Sequence, residues 1–96
     1  MTQENFDKIV SYVGLAQRAG AVLYGEDVIS DKQKLAKLVL IDANASEKYS
    51  LRLENKFGAL PIFRLDGLRK ALHRDNVNAV AITNENLANA IIDILR

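Results

Sequence analysis

The 96 residues, 49% hydrophobic and 26% charged with a formal net charge of +1, suit one domain over residues 1–96 and leave no room for a catalytic domain plus an accessory one. The absence of cysteine and the presence of one histidine exclude a disulfide framework and a thiolate metal site and leave little for imidazole catalysis, so neither a metal nor a cofactor is expected. The near-neutral balance excludes a basic footprint spread over the whole domain; any nucleic-acid surface must be local.

From Phe6 the apolar residues Ile9, Val10, Val13 and Ala16 recur at helical spacing, and the pattern stops at Gly20, predicting the first helix. Ala21–Tyr24 reads as a short strand. A second, brief helix starts near Gly25, carries Val28, Ile29 and Leu35, and ends before Ala36. Lys37–Ile41 is an aliphatic run without alternation, the pattern of a strand covered on both faces. Ser46 is placed to cap a third helix with Tyr49, Leu53 and Phe57 on one face and Gly58 at its end.

Pro61–Phe63 forms the next strand, with the only proline at its start, where a missing donor is tolerated. Asp66 is the expected cap of a short helix through Leu68, Ala71 and Leu72, followed by the polar loop Arg74–Asn78. Ala79–Ile82 reads as a buried strand, and Thr83 or Asn84 caps a last helix striped by Leu87, Ala90, Ile91, Ile94 and Leu95. The order α-β-α-β-α-β-α-β-α, with short connections, implies an α/β fold: a small mixed or parallel sheet between helical layers. No repeat or linker interrupts it. No apolar run reaches bilayer length and Met1–Asn5 has no signal-peptide character, so the cytoplasm is the expected location and no membrane partner is expected.

Four segments carry a resemblance: Gly14–Gly20, Gly25-Glu26-Asp27-Val28, Ala36–Ile41 and Ala79–Asn86. In this order they resemble bacterial members of the ribosomal protein seven-Ae and thirty-e superfamily, over the chain from about Asp7 to its C-terminus. The resemblance implies a three-layer α-β-α sandwich with a small four-stranded mixed sheet, of the ribosomal protein thirty-e type. It also implies a non-enzymatic, ribosome-associated role in binding kink-turn RNA. On it, the RNA face comprises the start of the second helix, Gly25–Asp31; the stretch into the central strand, Lys32–Lys37; and the loop His73–Asn78.

RNA-binding branches of the family carry Gly-Xaa-Asn-Glu-Xaa-Xaa-Lys at this helix. Aligning Gly25 with the first glycine puts Asp27, Val28 and Asp31 on the Asn, Glu and Lys positions. A frame shifted by one residue puts Glu26 and Asp27 on the Asn and Glu positions and Ser30 on the lysine. Asp31 in place of a cation would repel phosphate.

The physical basis for such a face is general. A helix start presents unpaired N–H groups to phosphate, nearby cations add salt-dependent affinity, and bent RNA is read by shape and by unpaired bases. Arg64, Arg69, Lys70 and Arg74 outnumber Asp66 around the fourth helix, as a nucleic-acid patch or as a solvated helix face. His73 has no partner at catalytic or metal spacing and reads as a helix-terminal histidine. Glu26, Asp27 and Asp31 read as helix-dipole stabilisers before they read as a magnesium cluster. Tyr24 is the aromatic placed to stack on a base, or to pack at the rim.

The expected function is an RNA-binding accessory protein whose partner is structured, kink-turn-like RNA, with no DNA partner. Its expected contacts are Gly25, Glu26, Asp27, Lys34, Lys37, Arg74, Asn76 and Val77. The alternative is a protein-interaction module on the same fold, its acidic helix start meeting a basic partner.

Overall fold

A computed structural model describes residues 1–96. Its elements in chain order are α1 (Gln3–Arg18), β1 (Val22–Tyr24), α2 (Glu26–Asp31), β2 (Leu38–Asp42), α3 (Glu47–Lys56), β3 (Ile62–Leu65), α4 (Leu68–Leu72), β4 (Ala79–Ile82) and α5 (Glu85–Leu95), with a 3-10 turn at Gln33–Leu35. The order expected from the sequence is the order found.

The sheet runs β1-β4-β2-β3, with β4 antiparallel to both β1 and β2 and β2 parallel to β3. Central strands β2 and β4 are buried throughout, which is why their sequences show no alternation. Successive residues still point to opposite faces. Leu38, Leu40, Val80 and Ile82 join Ile9, Val13, Leu68, Leu72 and Ile91 in one core, beneath α1, α4 and α5. Val39, Ile41, Ala79 and Ala81 join Ile29, Leu53 and Phe57 in a second, beneath α2 and α3. The result is an α-β-α sandwich with a four-stranded mixed sheet. No helix is long and apolar enough to cross a membrane.

Local chemistry sets the boundaries. The Ser46 hydroxyl accepts from the Tyr49 N–H at 3.1 Å, and the Asn84 side chain accepts from the Leu87 N–H at 2.9 Å, so both expected caps form and Asn84 rather than Thr83 supplies the second. Asp66 does not cap α4. The turn out of β3 requires a left-handed residue, and Gly67, at φ 87°, takes that place at the start of the helix with no side-chain cap. Helix α2 also stops short of Ala36. Asp31 lies in its last turn, which holds no basic residue, an arrangement the helix dipole disfavours, and the chain tightens into the 3-10 turn after Lys32. Strand β3 extends past Phe63 through Arg64 and Leu65, because an edge strand tolerates an outward charge.

Candidate nucleic-acid interface

One end of the sheet gathers the exit of β1, the exit of β2 and the start of β4. There the Gly25 N–H donates to the Ala79 carbonyl at 2.9 Å, and the Asp42 N–H donates to the Asn78 carbonyl at 2.8 Å. Gly25 adopts φ 87° and ψ 158°, a region open essentially to glycine alone. A Cβ built there would meet nothing within 4 Å, so the glycine serves the backbone turn rather than tight packing. The first bond of α2 runs from the Ile29 N–H to the Gly25 carbonyl at 3.1 Å, and no side chain caps the helix. The amides of Glu26, Asp27 and Val28 therefore precede the helical ladder.

Beside this corner lies the loop Arg74–Asn78, held from below by Arg69. The Arg69 guanidinium donates to the Val77 carbonyl at 3.2 Å and to the Asn78 side-chain oxygen, and stands 3.9 Å from the Asp42 carboxylate. Asp42 is 1% exposed and also accepts from the Asn44 N–H at 3.0 Å. One buried carboxylate and one arginine thus tie together two loops at the same end of the sheet. Arg64 secures the neighbouring turn, donating to the Ala43 and Ala45 carbonyls at 2.8 and 3.1 Å. Two of the four cations that read from sequence as a surface patch are spent on shaping loops.

Arg74 is exposed and lies over the Tyr24 ring, 4.1 Å from its centroid. The Tyr24 hydroxyl accepts from Gln17 at 3.2 Å, and Gln17 also donates to the Leu72 carbonyl at 3.0 Å, which links β1, α1 and α4. Tyr24 is covered by Arg74 rather than open to a base. Asn76 is exposed, whereas Val77 is half-buried against the core.

Glu26 points across to α3. Arg52 contacts one of its oxygens at 2.8 Å and Lys56 the other at 3.4 Å. The Arg52 hydrogen bond, reinforced by Lys56, holds the Glu26 carboxyl below the usual glutamate range against an opposing desolvation. Burial pushes the Tyr49 hydroxyl up, and the charges of Glu26 and Asp27 add to that, so the ring stays neutral under Arg52 at 5.2 Å. Arg52 and Lys56 are absent from the contacts expected from sequence. The signal that could have found them is the spacing of Lys48, Arg52 and Lys56 along one side of α3.

Gly25, Glu26, Asp27, Arg74, Asn76 and Val77 come together at this end; Lys34 and Lys37 do not. The Lys37 N–H bonds the Ile82 carbonyl at the far end of β4, three residues and roughly 10 Å from the Gly25–Ala79 contact. Lys34 lies on the 3-10 turn at that same far end, in a groove of about 800 Å³ shared with Leu35, Ala59 and Leu60. Helix α2 runs back along the sandwich from Gly25, so closeness in sequence becomes separation in space.

No family model and no curated protein sequence matches this chain. Among solved structures it is similar to a protein with unknown function from Bacillus halodurans C, with a TM-score of 0.82 at 20% identity, covering 92% of this chain and 96% of that one. It is also similar to the Giardia lamblia 15.5kD RNA binding protein, with a TM-score of 0.74 at 18% identity, covering 99% of this chain and 88% of that one. At these identities the likeness shows a shared fold.

Proposed function

We propose that this chain is an RNA-binding accessory protein of the ribosomal protein seven-Ae and thirty-e type, that its ligand is a bent, kink-turn-like RNA, and that it binds rather than catalyses. The carrying observation is the meeting of the Gly25 corner with the braced Arg74–Asn78 loop at one end of the sandwich. Free amides at the start of α2 suit phosphate oxygens, Arg74 adds a cation beside them, and Asn76 offers a donor and an acceptor to an unpaired base. Asp27 stands at the rim, where its carboxylate faces base donors better than phosphates. The Giardia neighbour, an RNA binding protein by name, supports RNA as the class of partner. Lys34 and Lys37 take no part in this contact surface.

A mobility shift with a kink-turn duplex and a straight duplex of equal length tests the proposal. Retention of the bent duplex at moderate salt, with weak binding of the straight one, is expected; equal or absent binding rejects kink-turn recognition. A second reading, a docking surface for a basic protein, draws on Asp27 and Asp31, both exposed on α2, with the exposed Val28 between them. A partner that stays bound after nuclease treatment of a purified complex favours that reading.

A further inference from the structure

Lys48, Arg52 and Lys56 recur every four residues along α3 and are all exposed. The helical spacing places Glu54 on the other flank, and Glu47 turns away to Arg64 at 3.7 Å. Between these cations and the Gly25 corner stands Glu26, with one oxygen on Arg52 and the other on Lys56. The Glu26 side chain is 19% exposed, whereas Arg52 and Lys56 keep 56% and 40% of theirs. Both cations therefore have a free side facing solvent.

A carboxylate offers an arginine the same charge and paired acceptor oxygens as a phosphate, so the two compete for the same donors. Ion pairs at such exposure are weak, and a polyanion gains further from the counterions it releases. Asp27, exposed next to Glu26 and near enough for its charge to act on Tyr49, adds a second carboxylate, and three cations against two carboxylates leave the patch positive.

We infer that Lys48, Arg52 and Lys56 form a phosphate-backbone track continuing the Gly25 corner along α3, with Glu26 the internal carboxylate that occupies Arg52 and Lys56 until a phosphate displaces it. The inference rests on RNA being the ligand, and it makes Glu26 a competitor of the RNA rather than a reader of its bases.

The test is fluorescence anisotropy with labelled kink-turn and straight duplexes across a salt series. It compares the wild-type chain with Glu26→Gln and with the combined Lys48→Gln, Arg52→Gln, Lys56→Gln variant, each checked for folding by circular dichroism. The triple variant should lose roughly 0.7–0.9 from the log–log salt slope for each cation engaged. Glu26→Gln should bind about two- to fivefold more tightly, the scale of an exposed ion pair, and a gain cannot arise from unfolding. A folded triple variant with wild-type slope and affinity, or a Glu26→Gln variant that binds more weakly, overturns the inference. Equal binding to both duplexes with a flattened slope in the triple variant would defeat the kink-turn reading and keep the track. Selective binding of the bent duplex that the triple variant leaves untouched would do the reverse, and no binding to either duplex at low salt defeats both.

Discussion

Arg69 and Arg74 lie five residues apart and do different work. Arg69 spends its donors on Val77 and Asn78 and its charge on Asp42, whereas Arg74 is held only by the face of Tyr24 and keeps its polar edge free. Arg69→Gln should therefore lower stability by about 1–3 kcal/mol in chemical denaturation, the cost of lost charged hydrogen bonds. It should also weaken RNA binding without changing the salt slope, because it misplaces the loop but removes no phosphate contact. Arg74→Gln should leave stability nearly unchanged and reduce the slope by about 1. Composition alone could not separate the two, since both are arginines in one basic stretch. The difference lies in Asp42, whose burial beside Arg69 no local pattern in the sequence marks. Ser46 and Asn84 were legible because a cap is a contact within one turn of helix, whereas Arg69–Asp42 spans two elements.

Short helices bound this end of the molecule, and their termini carry its positive-φ residues Gly25, Gly67 and His73. Gly67 combines φ 87° with a position where a Cβ would lie 3.0 Å from the Phe6 ring. Gly67→Ala should cost about 1–2 kcal/mol from the left-handed backbone alone, measured by denaturant unfolding, with the Phe6 contact adding to it. At the other end of α4, His73 sits at φ 56° in a position where helices usually place glycine. It closes the helix with bonds from the His73 N–H to the Lys70 carbonyl and from the Arg74 N–H to the Arg69 carbonyl. The same closure ends α1 at Gly20, where the glycine made the stop legible in sequence; at His73 no residue type announced it. The contact between α2 and α3 should be visible in pH dependence. Because Arg52 and Lys56 hold the Glu26 carboxyl below its ordinary value, the pair stabilises the fold above the usual glutamate range, about pH 4.3, and that contribution is lost as pH falls further. Thermal melts of Glu26→Gln should lose this part of the acid-side decline.

Across the whole molecule, the sandwich separates two ends that the sequence presents as neighbours. Element order and layering were legible because buried strands and amphipathic helices repeat with fixed periods. The grouping of site residues was not, because it depends on the direction in which α2 runs. A helix that starts at Gly25 and returns along the sheet carries Lys34 and Lys37 to the end opposite Arg74. The proposed interface is thus the end of the sheet bearing Gly25 and the Arg74–Asn78 loop, extended over α3. Amide chemical-shift mapping by NMR, on titration with a kink-turn duplex, examines that placement residue by residue. Perturbations should concentrate at Gly25–Val28, Arg74–Asn78 and the exposed side of α3, with Lys34 and Lys37 unmoved. Shifts centred on Lys34 and Lys37 while Gly25 and Arg74 stay fixed would contradict it.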